Sequence, residues 1–552
     1  MMRPRILQGA CVAFLFCSMP LTAQDATTAD AGAPEVRLPD MEVEVGSVAP
    51  KDVEAPLPPS TPLPLPSNAP PLPPDVEPTI PESAYRTEAT LDTSPRAALG
   101  ETFSEASVGA GLWDAVSASL SIYRPGSDPS FSMTFSHDMK DGFAFREKGE
   151  GFSERRTSLS GRVRGVSDEL GSWAFSAGFL DEATGLQGRS ADFYGVSHRY
   201  LDLRGDYKRT LGDLFGGSLE SRASVAALSA SRSLDVSSDS PSGVLNVDEL
   251  SAAPSVGLSW SRGPYALGLD GQYDFRGLLG LDDGDDPNDR SSQRIRTDLT
   301  GQWEVSSSLG LMASLGFASS SSFSALVPFS LSADAGIGDL ASVSLGAGLR
   351  TSGTRFADEW RKNPYLEIGE LPPDDARWFA ESKADFFLVP GLIARAGADW
   401  AMSLPGGGRV VPVWAGGSRA LFGYSVEDYN TLLSKLGVRW VRGGATISAT
   451  WEADWLDAPV VGEAQRLKTD IEYRERNEAY GGAFSASVGF SESSMDTPIL
   501  DASGFVRLTP EIRFIAEIRD VAAAFLGEDG RSLWEPYLTG GFQASVRILI
   551  SL

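Results

Sequence analysis

Side chains that could do chemistry are few. There are two histidines, His137 and His198, and two cysteines, Cys11 and Cys17. His137-Asp138 stands at the start of a connection. His198 falls on a polar face with Asp202, Arg204 and Asp206. Histidine works as a general base only with a nucleophile or an orienting carboxylate in reach, and no nucleophile signature accompanies either one. The pattern is that of ordinary polar-face residues and points to no enzyme. No Gly-rich loop follows a strand and opens a helix, so nucleotide binding is not indicated. One metal candidate exists. Asp282, Asp283, Asp285, Asp286 and Asp289, around Gly284, Pro287 and Asn288, concentrate the oxygen ligands that Ca²⁺ takes. No distal Glu follows at the spacing of a calcium-binding helix–loop–helix, because Arg294-Ile295-Arg296 comes next. A solvated acidic loop is therefore the better reading, and no other cofactor is indicated.

Charge and targeting narrow the classes. The net charge is −27, from 47 basic and 74 acidic residues. A nucleic-acid partner is excluded by that balance, since phosphate binders carry a basic footprint. Arg3 and Arg5, the apolar stretch Ile6–Leu21 and the small residue Ala23 form the charged, apolar and cleavage regions of a secretory signal peptide over 1–23. Cleavage there removes both cysteines, and with them any disulfide scaffold.

Residues 24–100 read as an acidic, Pro-rich, disordered periplasmic arm. Pro34 to Pro81 holds 15 prolines in 48 residues. Pro lacks the N–H that a helix or a ladder needs, so the segment is a polyproline spacer. Met41, Glu42, Val43, Glu44 and Val45 alternate just before its densest part. They form a candidate strand-adding contact for a periplasmic partner, against the plainer reading of an acidic arm.

The elements that position everything else follow one period, and it is two. Tyr265, Leu267, Leu269, Tyr273 and Phe275 alternate with Asp270, Gln272, Asp274 and Arg276. Ile295, Leu299, Trp303 and Val305 alternate with Arg294, Arg296, Asp298 and Gln302. Ile447, Ala449, Trp451 and Trp455 alternate with Ser448, Glu452 and Asp454. A strand turns successive side chains to opposite faces, so each segment has one apolar and one strongly polar face. Aromatic residues mark the strand ends on the apolar face. Trp260, Tyr265, Trp303 and Trp440 lie beside tight turns, and Phe135, Phe275, Phe317, Trp400 and Trp455 lie at the opposite ends. Two such girdles suit the two interfaces of a membrane.

Connections alternate short and long, as outer-membrane barrels require. Strands in lipid must pair every N–H and C=O, so the sheet has to close. The fold expected for 101–552 is therefore an all-β, transmembrane antiparallel β-barrel in contact with outer-membrane lipid. Asp270, Gln272, Asp274, Arg276, Arg294, Arg296, Asp298, Glu452 and Asp454 should face its lumen. Alternation places 21 strands from residue 115 to the C-terminus, and the even number of such barrels adds a first strand near 103–111 for 22, within a range of 16 to 22. Phe542, Val546, Ile548, Ile550 and Leu552 alternate to the end of the chain, where the barrel-insertion machinery reads its signal.

Two stretches carry a family resemblance. FGYSVEDYNTLLSKLGVRWVRGGATISATWEADWLDAP (Phe422 to Pro459) resembles the hairpin after the long loop in the barrels of TonB-dependent receptors. FVRLTPEIRFIAEIRDVAAAFLGEDGRSLWEPYLTGGFQASVRILISL (Phe505 to Leu552) is similar to the end of those barrels. Together they cover about the last third of the chain. The resemblance implies 22 strands. It also implies a terminal signal that usually ends in Phe, from which Leu552 departs. Those receptors carry a folded plug before the barrel, for which 24–100 has neither the room nor the composition. The expectation is thus a plug-less relative, porin-like in lacking a plug, that passes or imports a solute. Something else must then occlude the pore: inward-folded loops such as Thr351–Arg377 or Ser403–Tyr429, or a partner held by the arm. The other function class is a surface or scaffold barrel binding ligands through its loops.

Overall fold

The computed structural model describes residues 101–126, 128–143, 146, 148–167, 171–236, 246–280, 290–367, 369–457, 464–490, 496–526 and 531–551. The signal segment, the Pro-rich arm with Met41–Val45, and Asp282–Asp289 lie outside them.

The strands follow in chain order. The first nine are β1 (Phe103–Gly111), β2 (Val116–Arg124), β3 (Ser130–Asp141), β4 (Ser153–Ser167), β5 (Gly171–Gly185), β6 (Phe193–Leu214), β7 (Gly217–Val236), β8 (Asn246–Arg262) and β9 (Tyr265–Leu279). Next come β10 (Ser291–Ser306), β11 (Leu309–Ser320), β12 (Phe329–Ile337), β13 (Ala341–Ser352), a short helix α1 (Phe356–Lys362), β14 (Asp375–Val389) and β15 (Leu392–Ser403). A small hairpin, β16 (Arg409–Gly416) and β17 (Leu421–Glu427), precedes β18 (Asn430–Arg442), β19 (Ala445–Asp454), β20 (Gln465–Arg474), β21 (Tyr480–Phe490), β22 (Ile499–Arg507) and β23 (Ile512–Arg519). Helix α2 (Val521–Leu526), a second hairpin of β24 (Arg531–Trp534) and β25 (Tyr537–Thr539), and β26 (Gln543–Ser551) end the chain.

Twenty-two strands form one sheet, and it closes on itself because β1 pairs with both β2 and β26. The closing register runs from Glu105 opposite Ser551 to Gly111 opposite Ser545. Closure leaves no edge, which the backbone needs in lipid. The strand near 103–111 is real and supplies the even number. The final barrel strand starts at Gln543, later than the alternation alone suggests, because Tyr537–Thr539 pairs with Arg531–Trp534 instead.

Turns on one rim are tight. Two residues join β6 to β7, β8 to β9, β10 to β11, β14 to β15 and β18 to β19. Gly443 and Gly444 make the last of these with φ of 58° and 86°, the left-handed pair a two-residue hairpin turn demands. A Cβ on Gly444 would meet the Arg474 carbonyl oxygen at 2.2 Å. The other rim carries the long connections 353–374, 404–429 and 520–542, which hold both helices and both small hairpins.

The wall is uneven in height. β6 has 22 residues and β7 has 20, against 8 in β23. A strand of roughly 9–11 residues crosses the hydrocarbon layer, so β6 and β7 are much longer than a crossing needs. On the outer face Leu267, Leu269, Ile295 and Leu299 remain more than half exposed. No helix among the described residues is long and apolar enough to cross a membrane. The main cluster of buried apolar side chains lies on the inner face, at the rim of long connections.

Candidate functional site: the inner wall and the loops fastened to it

Val196, His198, Tyr200, Asp202, Arg204 and Asp206 share one face of β6, while Leu201, Leu203 and Tyr207 on the other face are exposed. Pairing extends the inner face sideways. His198 is opposite Arg232 on β7, Ala230 is opposite Glu249 on β8, and Ser251 is opposite Arg276 on β9. Toward the long-loop rim this face turns apolar, with Val196, Leu228, Leu234 and Val247 all buried.

The connection 353–374 explains that change, because it lies against this wall. Helix α1 buries Phe356, Ala357 and Trp360. The Glu249 carboxylate accepts the backbone N–H of Phe356 at 3.2 Å and of Ala357 at 2.7 Å. These N–H groups have no partner within the helix, so a buried acid on the wall satisfies the loop's first turn. The Trp360 ring lies 5.4 Å from the His198 ring. Arg361 donates to Asp202 at 3.0 Å and stacks its guanidinium over Tyr200 at 4.5 Å. Arg276 donates to the Thr354 carbonyl oxygen, to Ser292 at 3.1 Å, and to Asp374, with which it forms a buried ion pair. Wall residues therefore hold the connection at its first turn, its middle and its end.

The other long connections pack on the same loop. Phe422 N–H of β17 donates to the Tyr365 carbonyl at 2.9 Å, and Glu367 N–H donates to the Phe422 carbonyl at 2.7 Å. Arg419, at the turn between β16 and β17, pairs with Glu367. From the second hairpin, Tyr537 stacks on Tyr365 at 3.7 Å, and its hydroxyl donates to the Ala420 carbonyl. Trp534 donates its indole N–H to the Lys362 carbonyl at 3.0 Å. The side-chain amide of Gln187, in the connection from β5 to β6, donates to the Leu538 carbonyl at 2.7 Å and accepts the Leu538 N–H at 2.9 Å. Tyr429, between β17 and β18, donates to Asp375 at 2.9 Å and accepts from Arg377 at 3.2 Å. Burial, and then the Asp375 charge, push the Tyr429 phenol up to about 12. Tyr424 donates to the Glu370 carbonyl at 2.6 Å and is likewise pushed up to about 12, first by burial.

The polar-face residues of β9, β10 and β19 pair mostly with one another and with neighbouring strands. Asp274 accepts both Nε and Nη2 of Arg294, at 2.9 and 2.6 Å, and Gln272 donates to Asp274 at 2.7 Å. Arg296 forks onto Asp298 at 2.6 and 3.1 Å. Asp270 lies 4.0 Å from Arg222, and Glu452 pairs with Lys435 at 3.1 Å. Asp454 is half-buried near the end of β19. His137 shares a hydrogen bond of 2.9 Å with Thr157. Of the charged set, Arg276 bonds to the connection 353–374, and Nη1 of Arg294 lies beside Gly353. Val546, Ile548 and Ile550 are exposed along one face of β26. The carbonyl of Phe542, just before that strand, accepts from Trp113 Nε1 at 2.8 Å; Leu552 lies outside the described residues. Among the described residues no group of three or more His, Cys, Asp or Glu side chains is placed to hold a metal.

Sequence reasoning passed over Glu249, Arg232, Trp360, Asp374 and Tyr537. One signal was available. Toward the long-loop rim the inner face of β6 changes from Asp202, Arg204 and Asp206 to Tyr200 and Val196, which marks a stretch of wall covered from inside.

An open recess of about 930 Å³ lies elsewhere, on the outer face, between Trp303 and Trp400 over Ala347 and Ala380. Its outward side chains include no ionisable group, so it belongs to the apolar belt and not to the polar interior. The interior itself offers ion pairs of both signs along a polar face, crowded at one rim by three long connections. That arrangement can select and obstruct a solute.

No protein-family model and no curated protein matches the chain. Solved structures do. A variant of the ferric enterobactin receptor PfeA from Pseudomonas aeruginosa is 11% identical, with a TM-score of 0.57, over 82% of this chain and 81% of that one. The copper transporter OprC is 12% identical, with a TM-score of 0.60, over 83% and 84%. The FrpB iron transporter from Neisseria meningitidis is 10% identical, with a TM-score of 0.59, over 82% and 81%. At these identities the likeness is one of fold: the chain has the 22-strand barrel of outer-membrane receptors and transporters.

Proposed function

We propose that this chain is an outer-membrane barrel that passes or imports a solute, with its own loops as the obstruction in the pore. The observation that carries this reading is the connection 353–374, held against the inner wall by Glu249, Arg276 and Asp202. A 22-strand barrel has a wide lumen, and residues held inside it restrict passage. The polar inner face of β9 and β10, with Asp270, Gln272, Asp274, Arg294, Arg296 and Asp298, lines the path that remains. The likeness to receptor and transporter barrels supports the same class. A cleaved signal peptide, assembly through the terminal segment Phe542–Leu552, and a periplasmic arm carrying Met41–Val45 to a partner complete the reading. Conductance in a planar bilayer tests it. The purified barrel should stay mostly closed, and replacing residues 355–373 with a short Gly-Ser link should open it. Equal conductance of the two proteins would overturn the reading.

The scaffold alternative has one observation in its favour. Val413 and Trp414 on β16 are exposed although they belong to the loop layer, as ligand-contacting residues would be. A loop-deleted barrel that still conducts nothing would favour it. Calcium at Asp282, Asp283, Asp285, Asp286 and Asp289 stays a separate proposal. A chelator should then increase cleavage of that loop by protease.

A further inference from the structure

Arg232 is 1% exposed on the inner wall of β7. Among the described residues its Nε and Nη1 have no hydrogen-bond partner. Two neighbours on the same face share this condition. Nε2 of His198, directly opposite Arg232 across the β6–β7 ladder, is buried without a partner, and so is the hydroxyl of Tyr200, two residues further along β6. The surroundings are apolar. Val247 is the cross-strand partner of Arg232 on its other side, and Leu234, Leu366 and Leu421 belong to the same buried cluster as Val247.

A guanidinium in such a place needs a counter-charge, because desolvating an unpaired ion costs several kcal/mol. The described residues do not supply a whole one. Glu367 attracts the Arg232 charge, but Arg419 repels it, and Glu367 is already in contact with Arg419. One carboxylate between two guanidiniums leaves one positive charge over. The unused atoms also agree in kind. Guanidinium N–H groups only donate, a phenol O–H donates readily, and one tautomer of neutral imidazole carries its proton on Nε2. A water molecule could satisfy some of these groups, but it would leave the charge uncompensated.

We propose that Arg232, with Tyr200 and His198, forms a buried site for a small monovalent anion, of halide or carboxylate class, behind the inserted loop. The inner wall supplies its donors, and the loop layer covers it through Trp360, whose ring lies against His198, and Arg361, which lies over Tyr200. Occupancy joins wall and loops through one charge, so the anion stiffens the layer that obstructs the barrel.

The test uses the full barrel in detergent, in gluconate buffer at fixed ionic strength, with chloride, bromide or acetate exchanged in. The melting temperature of the wild type should rise and saturate with the small anion, and the anion that saturates at the lower concentration identifies the class. Arg232→Met should show no such rise. Tyr200→Phe, which removes one donor, should need a several-fold higher anion concentration. Crystals grown in bromide should give an anomalous peak within hydrogen-bond distance of the Arg232 guanidinium, and this measurement decides the matter if Arg232→Met does not fold. A wild type indifferent to anion identity, an Arg232→Met protein with the same saturable rise, or a site holding only water would each overturn the proposal. Because the readout is melting and scattering, its failure leaves the transport reading untouched.

Discussion

Large apolar side chains meet opposite fates in two regions of this molecule. In the loop layer Phe356, Trp360, Leu366 and Tyr537 are at most 1% exposed. On the outer wall Leu267, Leu269, Ile295 and Leu299 are each more than half exposed. The loop layer is buried by contacts among its own residues and with the inner wall. The wall leaves its apolar surface for lipid to cover and relies on closure of its backbone ladder. Burial therefore measures importance in the first region and says little in the second.

That contrast can be broken most severely at Trp360. Trp360→Ala should cost the loop layer about 3–5 kcal/mol, the usual range for a buried aromatic. Cleavage within 353–374 should rise steeply while the barrel keeps its heat-modifiable gel migration. A barrel that unfolds along with the loops would show that the two regions are one cooperative unit. On the wall the comparable test is a pair. Ala449→Arg should cost about 2–4 kcal/mol if it sits near the midplane, and Ser448→Arg should cost little. Equal costs, read by denaturant titration in lipid vesicles, would contradict the assignment of faces.

Smaller effects sharpen the boundary between the regions. Glu249→Gln keeps one acceptor oxygen but loses the charge that faces two N–H groups of α1. A loss of about 1–3 kcal/mol in loop docking is expected, visible as faster hydrogen exchange at Phe356 and Ala357. Tyr424 and Tyr429 provide a pH test. Both phenols titrate at about 12 in the folded loops against 10.0 for the free group. Their contribution is thus fully present below about pH 10 and is lost as pH rises toward 12. Loop exchange should accelerate in that window, and less so in Tyr429→Phe. The smallest effect belongs to Asp202→Asn, because the Arg361–Asp202 pair is partly exposed, with Asp202 at 52%. Such pairs are worth about 0–1 kcal/mol, so a larger loss would mean that Asp202 acts on more than Arg361.

The barrel was legible because its information is local. Period two over Tyr265–Phe275 or Ile447–Trp455 states which side chains share a face, and each tight turn states that the next strand lies alongside. Even the weak strand at Phe103–Gly111 followed from parity, since a closed antiparallel barrel with both ends on one side needs an even number. The last barrel strand begins only at Gln543, because Tyr537–Thr539 pairs with Arg531–Trp534 in a hairpin of its own. The loop layer carried no such code. Glu249 meets Ala357 from 108 residues away, and Trp534 meets Lys362 from 172. Residues that come together once have no period to announce them. Arg276 showed itself as polar-face but not as the anchor of Asp374. Nothing near Glu249 in the sequence marks it as the acceptor of two N–H groups of α1. The sequence by itself determined a closed wall with an apolar outside and a polar inside, because pleat geometry repeats at every second residue. Only the tertiary structure decided that three loops fold back onto that inside and bury His198, Arg232 and Glu249 there, because such contacts depend on where closure of the barrel brings distant segments together.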